Sequence, residues 1–296
     1  MDHRSHTGLQ FPSDLAKAPN MNSNSPQNMI TRILVISASF LCMLGSPSSA
    51  QTNPTADRIT KTLTNAAGDA VPYQLFPPLH FDKAKTYPLV LCLHGAGEMK
   101  NAPYAAKTAA SSKLLQPDMR AKFPAFLLVP QTTTGWVKRP GRNLVAEGGY
   151  RVADMEESAP MKLVLQAVGD VMKDYKIDPA RLYVSGQSMG GVATWDLIVR
   201  HPEMFAAAVP ICGVGDVTMA GKIQCPVWCF HGDADTTVPV KCSREMTAAM
   251  KAAGRAVKYT EFPGVGHGSW GPAWNEQELA PWLFAQRRAA IPQTNK

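Results

Sequence analysis

The reading of the fold turns on Arg181–Arg200, RLYVSGQSMGGVATWDLIVR. An apolar run ends at Ser185-Gly186-Gln187, and apolar residues at helical spacing begin at Met189. Ser188 stands between them, with Gly186 two residues before it and Gly190 two after. In so tight a strand-to-helix turn, a Cβ at either glycine would crowd the strand or the helix. The same turn lifts the serine oxygen out over the strand end, where a reacting group can reach it.

Other runs of the same kind lie on either side. YPLVLCLHG, PAFLLVPQ, FAAAVPICG and PVWCFHG are short and continuously apolar, the pattern of strands buried on both faces. VKYTEFPG offers one more strand, and RITKTLTNAAGDAVPYQLFPP reads as two alternating strands around Ala67-Gly68-Asp69. Helical spacing predicts helices over 103–116, 158–175, 189–200, 242–253 and 275–288, with Gly254 as a C-terminal cap. Strands alternating with helices predict an α/β fold: a mostly parallel central sheet of about eight strands, helices on both faces and no large lid domain. Reactive groups then belong at the carboxyl ends of the strands.

The first fifty residues read differently. Arg32, the apolar stretch Ile33–Gly45 and Ser48-Ser49-Ala50 form a signal-peptide pattern over 29–50, with cleavage before Gln51. Residues 1–28, polar and rich in Asn, Ser and Pro, read as an upstream extension or disordered leader, translation starting at Met29 or Met21. The expectation is a single catalytic domain over 51–296, secreted or periplasmic, and not membrane-bound once the signal is cleaved. The full chain carries +7 by formal count. Its charges are scattered without a basic run, so nucleic acid is not an expected partner. Cys92, Cys212, Cys225, Cys229 and Cys242 follow the leader, an odd number without zinc-site spacing, and no metal is expected. Export permits a disulfide, for which Cys212–Cys242 is the choice.

The strand–turn–helix around G-Q-S-M-G resembles the nucleophile elbow of α/β-hydrolases. A serine hydroxyl is a poor nucleophile unless a base takes its proton and an acid orients that base. The resemblance implies the chain order Ser, acid, His. Asp235 in HGDADTTVP and His267 in GVGHGSW follow strands in that order, so Ser188, Asp235 and His267 are the candidate catalytic residues. Asp233 and Asp216 are alternative acids. His94 and His231 each precede a glycine at a strand end and read as shaping the backbone. An oxyanion needs converging donors; those implied are the N–H groups of Ala96 (or Gly95) in HGAGE and of Met189.

Taken together, YPLVLCLHGAGE, PAFLLVPQ, GQSMGG, HGDADTTVPV and GVGHGSW resemble secreted serine esterases of the polyhydroxybutyrate-depolymerase and feruloyl-esterase kind, over about residues 70–290. They are also similar to catalytic domains of prolyl-oligopeptidase type. Many relatives carry Arg-Gly after HGAGE where this chain has Met99-Lys100, which puts a substrate contact there in doubt. The resemblance implies hydrolysis of carboxylic esters through an acyl-enzyme, without a cofactor. Small-molecule or polymeric esters are the expected partners, polysaccharide-linked feruloyl or acetyl groups or polyesters among them. A peptidase and a non-catalytic binding protein are the alternatives. The short link between Cys212 and Pro226 has no room for a lid. In the long loop Gln131–Ser158, Trp136 is a candidate for stacking on substrate, near Arg142 or Arg151. Gln187, Trp270 and Glu98 are candidates by adjacency, Gln187 the favoured one. If His267 acts as base, acylation falls in acid with an apparent pKa of about 6–7.

Overall fold

Eight strands form one sheet in the order β1-β2-β4-β3-β5-β6-β7-β8 in a computed structural model that describes residues 58–100, 107–137 and 150–288. The leader, the signal-peptide pattern and Arg142 lie outside the described residues. The strands are β1 Ile59–Thr64, β2 Ala70–Phe76, β3 Tyr87–Leu93, β4 Phe126–Pro130, β5 Ile177–Gln187, β6 Ala207–Ile211, β7 Val227–Gly232 and β8 Val257–Phe262. β1 pairs antiparallel with β2, and β2 with β4; every later pairing is parallel. This is the mostly parallel α/β sheet expected.

The helices are α1 Ala109–Leu114, α2 Pro117–Lys122, α3 Ala159–Asp174, α4 Met189–Arg200, α5 Lys241–Ala252, α6 Trp270–Asn275 and α7 Leu279–Ala285. Side chains alternate across each strand and so feed two cores. Leu89, Leu91 and Leu93 of β3 join Phe126 and Leu128 of β4 on the face covered by α3, α4 and α5, packing with Val164, Leu197 and Met246. Val90 and Cys92 join Leu127 and Val129 on the other face, under Leu114 of α1, Trp274 of α6 and Leu283 of α7. Each leucine so enclosed contributes about 1.5–3 kcal/mol, and cover on both faces is why these strands read as unbroken apolar runs. β1 and β8, at the sheet edges, keep exposed or half-buried residues instead.

Helix boundaries depart from expectation in two places. The helix expected at 275–288 is shortened to α7, because Glu276 takes an extended conformation (ψ 119°) that separates it from α6, a short helix not anticipated before it. α2 was not anticipated, although Pro117 at its first turn is a legible start signal. The C-terminal cap of α5 is as expected. Gly254 sits at φ +67°, its N–H reaching Lys251 O while Arg255 N–H reaches Met250 O, a Schellman pair.

α4 is buried from Met189 to Val199, including Asp196. That carboxylate accepts from Tyr150 Oη–H and from Arg200 Nε at 2.8 and 3.0 Å, and Arg200 Nη2 reaches the carbonyls of Val152 and Met155. The segment after residue 150 is thereby tied to the helix that follows Ser188. Between β6 and β7 the chain makes only a 3-10 turn, Val217–Lys222, so no lid is inserted there.

The turn between β5 and α4 is packed backbone to backbone. A Cβ on Gly186 would lie 2.1 Å from Gly190 O, and one on Gly190 would lie 2.3 Å from Leu93 O. Gly169, in α3, has nothing within 4 Å of its Cβ position. Gly190→Ala is therefore expected to lower unfolding stability by about 3 kcal/mol, and Gly169→Ala to raise it by about 0.5–1 kcal/mol. Urea denaturation of the two variants checks the contrast.

Candidate active site

Ser188 occupies the sharpest point of that turn, at φ 54° and ψ −117°. A non-glycine residue at positive φ is strained. The surroundings hold it there: Ser188 N–H donates to Ile211 O at 2.9 Å, while Gly190 and Gly191 lie against the chain at Leu93 and Ile211. The hydroxyl is delivered to the carboxyl end of the sheet, where the loops after β7 and β8 also arrive.

Those loops bring the other two candidates. His267 Nε2 lies 2.8 Å from Ser188 Oγ, and its Nδ1 lies 2.7 Å from Asp235 Oδ2. Gly232 enforces the meeting of the two loops, since a Cβ there would lie 2.0 Å from Val265 O. Asp235 Oδ1 accepts from the N–H groups of Thr237 and Val238 at 2.8 and 2.9 Å. Burial alone would raise this carboxyl, but the hydrogen bonds from His267, Val238 and Thr237 outweigh it and hold it below the usual carboxylate range. Asp235 thus stays ionised against Nδ1–H, leaving Nε2 to face the serine. This geometry can move a proton from Oγ to the imidazole.

The alternative acids are engaged elsewhere. Asp216 accepts from Thr218 N–H and Oγ1–H and, through Oδ2, from Val152 N–H. Asp233 accepts from Gly264 N–H and so braces the loop that carries His267. His94 is buried, accepting from Thr132 N–H on Nε2, which puts its proton on Nδ1 against Gly95 O; burial lowers its pKa. It shapes the backbone as expected. His231 does more: its Nε2 lies 3.2 Å from Asp235 Oδ2. Its place in HGDAD, four residues before Asp235, was the legible signal.

Ala96 opens the 3-10 segment that follows β3, and Met189 is the first residue of α4. Leading N–H groups of a helix have no acceptor within it. The Cβ position of Gly95 lies 3.5 Å from Ser188 Cβ, so this segment abuts the turn at Ser188. Trp270 meets the His267 ring edge-on with centroids 5.4 Å apart.

Three expectations need correction. Trp136 is not available to stack on a substrate. It is fully buried, its Nε1–H donates to His94 O at 2.9 Å, and its ring packs on His94, so it pins the loop down. Gln187 is buried too and works as a brace, accepting from Ala109 N–H and donating to Glu98 Oε1. The Cys212–Cys242 disulfide is absent: all five described cysteines are free thiols. Cys212 instead points at the back of the histidine, donating to His267 O at 3.5 Å. Its sulfur and ligand atoms of Asp235 and His267 lie within 4.8 Å of one another. The trio is nevertheless a poor metal cage. Nδ1 already serves Asp235, and burial pushes the thiol up to about 12, well away from thiolate. With an aromatic disulfide reagent, native protein spanning 51–296 is expected to react at half-buried Cys242 alone, and at all five thiols once denatured. Two fewer thiols under denaturing, non-reducing conditions would restore the disulfide.

Comparison with known proteins agrees with this architecture. The dienelactone hydrolase family model matches residues 143–275. A thermostable esterase of known structure superposes with a TM-score of 0.71 at 34% identity, over 78% of this chain and 64% of its own. The peptidase YuxL of Bacillus subtilis, itself uncharacterized, is 26% identical over 65% of this chain and 33% of its own length. Poly(3-hydroxyalkanoate) depolymerase C of Paucimonas lemoignei is 27% identical over 55% of this chain and 36% of its own. The chain spans about a third of the length of these two curated relatives. By sheet topology and structural likeness the chain has the α/β-hydrolase fold, and its residues 143–275 are similar to the dienelactone hydrolase family.

Proposed function

We propose that residues 51–296 are the catalytic domain of an exported serine hydrolase that cleaves carboxylic esters. The observation that carries this reading is the hydrogen-bonded series Ser188 Oγ–His267–Asp235, at 2.8 and 2.7 Å. As Oγ bonds to the ester carbonyl carbon, its proton passes to His267 Nε2 and the carbonyl electron pair moves onto oxygen. The N–H groups of Ala96 and Met189 receive that oxyanion. When the pair returns, the C–O bond to the alcohol breaks, and the leaving oxygen takes the proton from His267. Water repeats the sequence at the acyl carbon, releasing the acid and restoring Ser188.

Polysaccharide-linked feruloyl or acetyl esters and aliphatic polyesters are the favoured substrates. The similarity to a polyhydroxyalkanoate depolymerase and to a thermostable esterase supports an ester. The similarity to a peptidase favours the second reading, amide hydrolysis at the same serine. Export rests on the signal-peptide pattern at 29–50; no described helix is long and apolar enough to cross a membrane.

The test is hydrolysis of an ester panel by residues 51–296, running from p-nitrophenyl acetate to octanoate with methyl ferulate, acetylated xylan, a polyhydroxyalkanoate film and a peptide anilide. Ester turnover is expected, reduced about 10⁴-fold or more in Ser188→Ala. Cleavage of the anilide alone would move the protein to the peptidases. Asp235 is held ionised below the usual carboxylate range, so a loss of activity between pH 8 and 5 is expected to owe nothing to its protonation. A flat profile over that range would count against His267 as base.

A further inference from the structure

His231, next to last in β7, is wholly buried, and none of the steps above uses it. Its Nε2 faces two groups that can only accept, Asp235 Oδ2 at 3.2 Å and Val238 O at 2.9 Å, so Nε2 carries the proton. Nδ1 lies 2.7 Å from Ser243 Oγ. That hydroxyl oxygen accepts from Cys229 Sγ–H at 3.4 Å and is free to donate its own proton to Nδ1. The series Cys229 → Ser243 → His231 → Asp235 therefore runs in one direction and fixes the tautomer. It ends on the same carboxylate oxygen that faces His267.

From this geometry we propose that His231 is a positioning residue for the reaction, a buried donor that holds Asp235 Oδ2 in place for His267. The inference rests on the catalytic reading of Ser188, His267 and Asp235. Oδ1 is anchored by two backbone N–H groups; Oδ2 would otherwise have His267 alone, a ring that changes charge in every cycle. A second donor keeps the carboxylate from pivoting as that charge comes and goes.

A neutral imidazole suits this task better than a cation. Desolvation lowers the His231 pKa even though Val238 and Asp235 oppose it. His231 thus donates as a dipole and adds no positive charge beside the imidazolium forming on His267. The other titratable groups nearby are Glu261, opposite His231 on β8, and the thiols of Cys212, Cys229 and Cys242. Glu261 is already paired with Arg244, and burial raises all three thiols away from ionisation.

The experiment follows the rate at which a fluorophosphonate labels residues 51–296 as a function of pH, which requires no knowledge of the natural substrate. His231→Leu removes the donor. Labelling is expected to slow by about 10- to 100-fold, the scale of one hydrogen bond to a charged group. Its acid limb should move to higher pH, because a carboxylate that has lost a donor holds the imidazolium proton more strongly. His231→Gln can place an N–H near Oδ2 and is expected to recover most of the rate and the parent limb, whereas His231→Asn is too short to do so. Should the leucine variant fail to fold, the Gln–Asn comparison decides, and equal labelling of those two overturns the proposal. A folded His231→Leu with the parent rate and limb also overturns it, while leaving the catalytic reading intact. Labelling of Ser188→Ala at the parent rate would mean that the catalytic reading itself has failed, and the proposal with it.

Discussion

Backbone contact at the turn after β5 is the constraint on which the rest of the site depends. Gly186, Gly190 and Leu93 O come so close that no side chain can intervene. This contact sets α4 against the end of β3 and fixes Ser188 at positive φ. Strain of this kind persists only where the surroundings over-determine it, and here the hydrogen bond to Ile211 and the buried length of α4 supply that excess. Gly232 against Val265 O plays the same part for the loops of Asp235 and His267. Two close approaches thus place three side chains from three separate loops within hydrogen-bond reach.

Electrostatics then acts on a fixed frame. Asp235 is enclosed, which by itself would favour its neutral form. Donors on both oxygens reverse that preference, and the acid remains an anion facing one edge of His267. The surrounding thiols stay protonated because burial works against their charged form with no comparable set of donors. The same low-dielectric setting therefore keeps one group ionised and its neighbours neutral, and the hydrogen-bond count decides which.

The sheet was legible because a strand covered on both faces must be apolar along most of its length, as β3, β4, β6 and, up to His231, β7 are. The turn at Ser188 was legible because only glycine tolerates such proximity, and chain order then pointed to Asp235 and His267. The reading failed where function was inferred from adjacency alone. Gln187 and Trp136 stand beside the site in sequence or in strand order, yet both turn inward to satisfy backbone groups, Ala109 N–H and His94 O. Cys212 and Cys242 were likewise misread as a pair; both are free thiols, the first buried and the second half-buried.

By itself, then, the sequence determined the class of fold and the glycine-bounded turn at Ser188, because local periodicity and glycine spacing carry that information. Tertiary structure alone decided which acidic residue faces His267, since Asp216, Asp233 and Asp235 all follow strands and differ only in the donors that reach them. It also decided that His231 faces Asp235, that Cys212 lies behind His267 and that Trp136 is closed to substrate. Each of these depends on which side of a strand end meets which loop, and sheet order sets that through contacts between residues far apart in the chain.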